Sequence, residues 1–503
     1  MLIKKQKYNY LILGFLLIIL SYSPFLYFDF LYTDDYLYLF PKVGDSKNYS
    51  QLSDIESFYK YFHNIGRPLT GHLVLLQQIL IENIQIAKFF RFFSLILITI
   101  IFYLFFRYFV EKEFSKKESF LISFSIISLP TFHLTIAWLT LQQTLFSTIF
   151  SILSFLFIKN ISKINSYKNL IKICFSIILL IVATMLYPVP IMFFFIFYLL
   201  EIFFIYKKNK YKINFNGTII LLPLIIFITT LFIIYILQKI YYQTGNSIEL
   251  NQLYKFYWFL KDIIPISMNF FYPGKSLTLG IFFLIFIYGS ISYIIYQKYE
   301  KDKFFYSLLI FFFIIVYSYF LLMPIVIVNG YYNASFRIIP VVSSFYLIVF
   351  IFSLKLLFKN KIYNYIISII FLLSFFTNYY QSYNYLSKPQ SREFLNMKNV
   401  LKDNVNNNTK YIHILKPNWW SGDVALQIFQ GSDYGIYSSS VSSNLKNFVY
   451  LALKEINLNP DKFIVSSSVQ TPLNSRDKNG DPIPLKNNLV IIDFSDPMNY
   501  SKK

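Results

Sequence analysis

Leu95–Phe106, LILITIIFYLFF, is a run of apolar and aromatic side chains broken by one threonine, and Arg107 follows it directly. A helix needs roughly 20 such residues to cross the hydrocarbon core of a bilayer. The run reaches this length if the helix begins near Ile84–Phe92, before the quoted stretch. We therefore predict a membrane-spanning helix that starts near Ile84–Phe92 and ends at a basic loop.

The whole chain repeats this pattern of long apolar runs separated by short basic tracts. Of its 503 residues, 56% are hydrophobic, 21% are aromatic and 14% are charged, which is typical of a polytopic membrane protein. The net charge of +21 comes from Lys and Arg in these tracts, and no nucleic-acid-binding motif accompanies it. The single cysteine, Cys174, excludes an intramolecular disulfide. We predict a lipid bilayer as the surroundings of the chain and no nucleic-acid partner.

The basic tracts give one consistent orientation when the lysine-rich N-terminus is placed in the cytoplasm. An uncleaved first span then runs outward to about Phe28, and later turns near His133 and Tyr187–Pro190 lie on the outer side. Every later basic cluster falls inside. These clusters are Arg107–Lys117, Lys159–Lys168, Lys207–Lys212, Lys298–Lys303 and Lys355–Lys361. The threading predicts a mainly α-helical bundle of about eleven spans in the cytoplasmic (inner) membrane, with the C-terminus outside.

Three outer segments are long enough to form structure: residues 29–80, residues 238–276 and everything after about residue 380. The middle segment mixes aromatic and polar side chains, so we expect it to lie along the membrane interface. The last one is polar, and short β-like runs alternate in it with helical patterns. The runs are Lys410–Leu415, Phe463–Val465 and Asn488–Phe494. We predict a transmembrane domain over residues 1–380 and an extracytoplasmic α/β domain over residues 381–503.

The first outer segment carries two adjacent carboxylates, Asp34 and Asp35, in Leu31–Phe40, LYTDDYLYLF. Such a pair just outside a span is often a solvated helix end. It also suits general acid–base chemistry, because neighbouring acids that lipid and aromatic groups partly desolvate hold protons more tightly. The same segment contains His63 and the compact Gly66–Thr70. The presence of these residues in the same segment favours a functional role for the acidic pair.

Asp34-Asp35-Tyr36 directly after the first span, followed by Gly66-Arg67-Pro68-Leu69, resembles the first outer loop of the integral-membrane GT-C glycosyltransferases. The resemblance is closest to the bacterial O-antigen glucosyltransferase group. It implies a many-span helical fold and one or two essential acidic residues in that loop. It also implies a sugar donor carried on a polyprenyl phosphate and transfer with inversion at the anomeric carbon. The choice between Asp34 and Asp35 stays open.

The residues fit this chemistry independently. An inverting displacement needs one carboxylate to take the proton of the acceptor hydroxyl, and we predict Asp35 as the first choice and Asp34 as the second. The phosphate leaving group calls for a cation on the outer face, and Arg67 and Arg337 are the candidates. The resemblance supports Arg337, since similar arginines in that superfamily often contact the donor phosphate. Turn stabilisation by Arg67 and membrane anchoring by Arg337 are the structural alternatives.

Other side chains are weaker candidates. Tyr36, His63 and His133 are further possible substrate contacts, although loop and interfacial histidines usually have structural roles. Trp419 and Trp420 in the C-terminal domain are suited to stacking on sugar rings, or to an ordinary core. Carboxylates are ligands for Mg²⁺ or Mn²⁺, so the acidic loop leaves a metal site open.

These observations predict a membrane glycosyltransferase that moves a sugar from a polyprenyl-phosphate donor to a cell-surface glycan or lipid-linked acceptor. Three alternatives remain. A transporter or flippase of lipid-linked glycans would place charges deep in its helices and often shows inverted repeats. A glycan polymerase or ligase is closer in chemistry. The third alternative is a non-catalytic membrane-anchored surface protein, but it does not explain why the acidic loop and Gly66–Leu69 occur together.

Overall fold

The computed structural model describes residues 2–39, 55–81, 83–112, 114–161, 166–208, 217–241, 251–272, 277–298, 303–326, 337–406, 408–417, 436–468 and 489–497. These residues form a mainly helical protein with one small sheet. Trp419 and Trp420, which the sequence predicts as stacking residues for sugar rings or as core residues, lie outside the described residues.

The described helices are α1 (Leu2–Tyr22), α2 (Pro24–Tyr27), α3 (Asp35–Leu39), α4 (Ile55–Asn64), α5 (Pro68–Leu80), α6 (Ile84–Glu111), α7 (Lys116–Ile127), α8 (Pro130–Ala137), α9 (Gln143–Ile158), α10 (Tyr167–Leu186), α11 (Phe193–Lys208), α12 (Gly217–Tyr241), α13 (Gln252–Trp258), α14 (Ile264–Ser267), α15 (Leu277–Lys298), α16 (Lys303–Phe320), α17 (Met323–Val326), α18 (Pro340–Leu357), α19 (Asn360–Gln381), α20 (Lys388–Asn404) and α21 (Ser442–Glu455). The strands are β1 (Tyr411–Leu415), β2 (Ile464–Ser468) and β3 (Leu489–Asp493).

Five helical segments of the described residues are long and apolar enough to cross a membrane. They are α6, α9 with the turn Leu139–Leu141 before it, α10, α18, and the continuous helix Asn360–Asn404. The pair α7 and α8, bent by 62°, makes a sixth if it is one span, and five shorter apolar helices accompany them. The prediction of a helical membrane protein is confirmed at this level. The count of eleven spans stays a prediction.

The surface of α12 illustrates why these helices suit a lipid environment. Leu221, Ile225 and Ile228 are 56%, 55% and 64% exposed, and their spacing places them on one face of the helix. A stripe of large exposed aliphatic side chains is unfavourable in water and natural against acyl chains. This face is therefore expected to contact lipid.

Helix starts agree with the sequence predictions where local signals were strong. The predicted span near Ile84–Phe92 is α6, which begins at Ile84 because Asn83 Oδ1 accepts the N–H of Ile86 at 3.1 Å. The predicted turn at Tyr187–Pro190 follows the end of α10 at Leu186. In the middle outer segment, α13 exposes Leu253 and Tyr257. Its position along the membrane interface stays a prediction.

Ion pairs join the helices at the end that carries the lysine-rich loops, which we call the basic end. Lys112 pairs with Glu201, Lys159 with Glu111, and Lys355 with Glu118 at 3.1 Å. Each pair joins helices that are separate in the chain. The arrangement of alternating helices therefore puts these loops together and leaves the first outer loop at the opposite end.

The described residues form two hydrophobic cores. The first lies between the long helices and includes Phe105, Phe197 and Tyr346. The second lies at the end opposite the basic end, and it contains Tyr36 and Val74 from the first outer segment together with Phe448 from α21. The two predicted domains, residues 1–380 and 381–503, thus share a core. Their status as separate domains stays a prediction.

The sheet forms where the sequence predicted strands. All pairs are parallel in the order β2-β1-β3, with Ile412 beside Val465 on one side and Val490 on the other. The central strand is the most buried, as its apolar side chains require. Helices α20 and α21 contribute Phe394 and Phe448 to the second core beside it. The C-terminal segment therefore contains strands and helices packed together.

Candidate functional site

The acidic pair stands at a sharp turn between α2 and α3. Thr33 has a φ of +38°, a left-handed conformation that a β-branched residue rarely adopts. The carbonyl of Asp34 then accepts the N–H groups of Leu37 and Tyr38, so that Asp34 stands at the N-terminus of α3. Because the chain reverses here, Asp34 and Asp35 face different surroundings.

Asp35 is fully buried, and its carboxylate accepts four hydrogen bonds. Oδ1 accepts from the N–H and the hydroxyl of Thr140, at 3.0 and 3.1 Å. Oδ2 accepts from the N–H groups of Leu139 at 3.1 Å and Tyr32 at 3.2 Å. An ionised carboxylate has about four positions for donors, so these bonds saturate it. Asp35 therefore ties its own loop to the turn between α8 and α9.

The protonation of Asp35 reflects two opposing effects. Burial raises the pKa of Asp35 to about 6, although the N–H groups of Thr140 and Leu139 and the positive charge of Arg91 lower it. The carboxyl group is therefore mostly ionised at neutral pH. In that state it matches the four donors that surround it.

Asp34 is only partly buried. Its Oδ1 accepts a hydrogen bond from Nδ2 of Asn444, at 3.3 Å. Asn444 itself is fully buried near the start of α21. Of the two carboxylates, Asp34 is thus the one that a substrate can approach from solvent.

Arg91 is a buried cation that the sequence analysis did not select. Its guanidinium carbon lies 3.7 Å from the centroid of the Phe30 ring, and its N–H groups donate to the carbonyls of Phe30 and Ala137. These carbonyls belong to the two segments that Asp35 also joins. The sequence did mark Arg91 as unusual, because burying a lone arginine inside the apolar run Phe89–Phe93 costs free energy unless the side chain has a partner or a function.

The motif Gly66-Arg67-Pro68 forms the turn between α4 and α5. Gly66 has a φ of +75°, which glycine adopts without strain, and Pro68 is the first residue of α5. The N–H of Arg67 closes the turn by donating to the carbonyl of Phe62 at 2.8 Å. The turn thus uses the backbone of Arg67, and its side chain extends elsewhere.

The Arg67 guanidinium lies over the ring of Tyr187, with its carbon 4.1 Å from the ring centroid. Its buried Nε has no hydrogen-bond partner among the described residues. Tyr187 belongs to the predicted outer turn between α10 and α11. A cation–π contact holds the guanidinium plane and leaves donors for an anion.

Tyr38 connects Asp34 with Arg67. Its hydroxyl is 3.1 Å from that of Tyr61. Burial raises the pKa of Tyr38 most, Tyr61 and Asp34 raise it further, and the charge of Arg67 lowers it. The ring of Tyr38 also lies 5.6 Å from that of Phe62, whose carbonyl accepts the N–H of Arg67. Tyr38 thus packs the acidic turn against the turn that carries Arg67.

Arg337 reaches this region from the start of α18. Its guanidinium carbon lies 5.4 Å from the Trp138 ring centroid. The ring of Trp138 is 5.8 Å from that of Tyr32, two residues before Asp34. Trp138 also directly precedes Leu139 and Thr140, which donate to Asp35. Arg337 is thus linked to the acidic turn through the rings of Trp138 and Tyr32.

Three other predicted site residues have different surroundings. Tyr36 is fully buried, with its ring 4.9 Å from that of Phe448, so it serves the second core. His133 is buried inside α8 against the ring of Tyr22, at 5.6 Å. His63 is partly exposed near the end of α4, and burial and the nearby His72 lower its pKa. Tyr36 and His133 are thus buried among aromatic side chains, and the predicted substrate contacts of all three residues stay predictions.

The metal site that the sequence left open concerns the acidic loop, of which residues 40–54 lie outside the described residues. Among the residues that the structure describes, no group of three or more His, Cys, Asp or Glu side chains is placed to hold a metal ion. The donors to Asp35 occupy the lone pairs that a cation would need at that carboxylate. A Mg²⁺ or Mn²⁺ site in this loop stays a prediction.

Comparison with known proteins assigns no family to this geometry. The sequence matches no protein-family model. A search of curated proteins likewise finds no match. The inference of function therefore depends on the arrangement of Asp34, Arg67 and Arg337 and on the resemblance of two short motifs.

Proposed function

We propose that this chain is a GT-C-type membrane glycosyltransferase that moves a sugar from a polyprenyl-phosphate donor to a glycan or lipid-linked acceptor. The observation that carries the proposal is the partly exposed Asp34 carboxylate at the end of the helices opposite the lysines, on a turn that packs through Tyr38 and Phe62 towards Arg67 and through Tyr32 and Trp138 towards Arg337. An acid and two cations at one membrane surface suit a reaction that releases a proton and a phosphate.

The orientation in the proposal follows from the basic end. Its lysine-rich loops belong in the cytoplasm by the positive-inside rule. The N-terminus is then cytoplasmic, and the acidic turn and residues 381–503, as an extracytoplasmic α/β domain, lie outside the inner membrane. Polyprenyl-linked sugars presented at that face would meet Asp34 at the level of the lipid headgroups.

Asp34 is the base in this proposal, which reverses the preference for Asp35 predicted from the sequence. A base must reach the substrate proton within about 3 Å. Asp35 is fully buried and its lone pairs are filled by Thr140, Leu139 and Tyr32. Asp34 is partly exposed at the same turn, so a hydroxyl of the acceptor can approach it.

In this proposal, Arg67 and Arg337 stabilise the phosphate leaving group. Each guanidinium lies over an aromatic ring, Tyr187 or Trp138, which orients it while keeping its N–H donors at its edge. Phosphate oxygens accept such donors in pairs. The proposal therefore gives both arginines the task of stabilising the charge that develops on the polyprenyl phosphate.

The reaction balances with these groups alone. The acceptor oxygen forms a bond to the anomeric carbon while the bond from that carbon to the phosphate oxygen breaks. The hydroxyl proton passes to Asp34, and the electron pair of the broken bond stays on the polyprenyl phosphate. Attack from the face opposite the phosphate inverts the anomeric centre.

A transfer assay tests the proposal. Membranes with the wild type or Asp34→Asn at matched levels are given labelled sugars on polyprenyl phosphate, and the product and its anomeric configuration are measured. We expect Asp34→Asn to lower transfer by at least about 100-fold, the usual contribution of a general base. Asp29→Asn is the control, since Asp29 is a half-exposed carboxylate of the same segment that pairs with Lys88 at 2.8 Å.

Either of two results overturns the proposal. Equal transfer by the wild type and Asp34→Asn removes Asp34 as the base. An absence of wild-type transfer across the donor panel, together with wild-type-dependent movement of the lipid-linked sugar between leaflets, supports the flippase alternative instead.

A further inference from the structure

We propose that Asn444 is a positioning residue for the Asp34 carboxylate and that Ser438 fixes the turn on which Asp34 stands. This inference rests on the proposed function, because it assigns part of the site to the C-terminal segment. From the sequence, the C-terminal segment offers Trp419 and Trp420 for stacking on sugar rings. The contacts of its described residues give the same segment a second role, in orienting the proposed base.

The direct contact is a hydrogen bond across the two predicted domains. Nδ2 of Asn444 donates to Oδ1 of Asp34 at 3.3 Å. Asn444 is fully buried, and its N–H is held by the carbonyl of Val441 at 3.0 Å in the first turn of α21. A buried amide has little freedom to turn away. The contact therefore restricts the plane of the Asp34 carboxylate.

A second contact holds the residue before Asp34. The N–H of Thr33 donates to Oγ of Ser438 at 3.0 Å. Thr33 has the unfavourable φ of +38°, and a conformation of this kind persists only where its surroundings hold it. The bond to Ser438 is such a restraint. The direction in which Asp34 leaves the turn thus depends on the C-terminal segment.

Ser438 is itself rigidly placed. Its hydroxyl donates to Oε1 of Gln390 at 2.7 Å, and its N–H donates to Oε2 of Glu393 at 3.0 Å. The other oxygen of Glu393 accepts the N–H of Ser439 at 2.7 Å. Gln390 and Glu393 are both buried on α20. The restraint on Thr33 therefore extends into a helix of the C-terminal segment.

Aromatic packing fixes the other side of the turn. The ring of Tyr36 lies 4.9 Å from that of Phe448 and 6.4 Å from that of Phe394. These two rings belong to α21 and α20. Movement of α3 away from α21 would therefore open the second core as well as break the contact between Asn444 and Asp34.

A positioning role follows from these restraints because proton transfer depends steeply on geometry. A displacement of about 1 Å in a reacting group lowers a rate by about 100-fold. The amide of Asn444 orients the Asp34 carboxylate and, as a hydrogen-bond donor, also favours its ionised form. A variant that removes it should lower the turnover number more than it raises the KM for the donor.

The activity test compares two variants of one helix. We expect Asn444→Ala to lower kcat of transfer by about 10- to 100-fold at a nearly unchanged donor KM. Asn447→Ala is the matched control, since Asn447 is a buried asparagine of α21 one turn further on. It should retain kcat within about twofold. Thermal unfolding of each variant in detergent verifies that it is folded.

The second test needs no donor and no activity. Asn444→Asp places a second carboxylate beside Asp34, and like charges raise the pKa of such a pair. Carbodiimide labels protonated carboxyl groups, so peptide mass spectrometry of labelling against pH gives the midpoint for Asp34. The nearby titratable groups Asp35, Tyr38 and Arg67 are the same in every variant. We expect the midpoint, and the acidic limb of any transfer activity, to move to higher pH.

The outcomes separate the two proposals. A raised labelling midpoint of Asp34 in Asn444→Asp, together with a lowered kcat of transfer in Asn444→Ala, supports both the reaction and the positioning role. A raised midpoint in a protein whose wild type transfers no sugar supports the contact and overturns the reaction. An unchanged midpoint in Asn444→Asp, or full kcat in Asn444→Ala with wild-type transfer present, overturns the positioning role.

Discussion

Asp34 and Asp35 show how adjacent carboxylates acquire different properties from their neighbours. Four donors and complete burial make Asp35 a fixed link between the first loop and the turn before α9. Asp34, on the other side of the backbone, meets Asn444 and solvent. Arg91 lies behind Asp35 and lowers its pKa. At this scale, a buried structural carboxylate lies beside the carboxylate that we propose as the base.

The residue-level prediction concerns stability. Asp35→Asn puts an amide NH₂ among groups that are all donors and leaves the buried Arg91 without its countercharge. We expect it to lower the free energy of unfolding by about 3 kcal/mol, with a lower Tm and lower yield. Thermal unfolding of purified protein in detergent measures this, and Asp34→Asn, at a partly exposed position, should stay near the wild-type Tm. A stable Asp35→Asn that has lost transfer would restore Asp35 as the base.

At the scale of elements, β1 and β2 are joined by one histidine as well as by their backbones. His413 of β1 is buried, with Nδ1 2.8 Å from Oγ of Ser466 and Nε2 2.9 Å from Oγ of Ser468. A neutral imidazole accepts at one nitrogen and donates at the other, which suits the two hydroxyl groups. Serine hydroxyls can also accept from a protonated imidazole, so the cost of protonating His413 in the folded sheet comes from its burial.

This pairing predicts a pH dependence. Burial lowers the pKa of His413 below its ordinary value of 6.5, so below that pH the unfolded chain binds a proton that the folded sheet resists. The stability contributed by His413 is present above pH 6.5 and decreases as the pH falls. Hydrogen exchange of residues 411–415, corrected for intrinsic rates, should show less protection at pH 5.5 than at pH 7.5. His413→Gln should not show this loss, and an equal loss in both proteins would contradict the assignment.

For the whole molecule, the positive-inside orientation is open to a direct test. In a background of Cys174→Ser, single cysteines replace the exposed Lys117 at the basic end or Asp461 in the C-terminal segment. We expect a membrane-impermeant maleimide to label Asp461→Cys in intact cells and Lys117→Cys only after lysis. The reverse pattern would place Asp34 in the cytoplasm and exclude a donor presented on the outer face.

Local features of the chain were predictable from the sequence, and distant contacts were not. The start of α6 at Ile84 and of α15 at Leu277 agree with hydropathy because a span is encoded in its own residues. The order of preference between Asp34 and Asp35 depended on partners that lie 105 and 410 residues away, Thr140 and Asn444. Nothing in LYTDDYLYLF signals either partner.

The bond between Thr33 and Ser438 also has a consequence for biosynthesis. The two residues are 405 positions apart, so the acidic loop leaves the ribosome long before the segment that completes it. At roughly 5 to 20 residues per second, the interval is on the order of 20 to 80 s. During that time the first loop lacks the bond that holds its turn. If Asp34 acts as proposed, transfer would begin only when synthesis is nearly finished, and a chain terminated before Ser438 would be inactive.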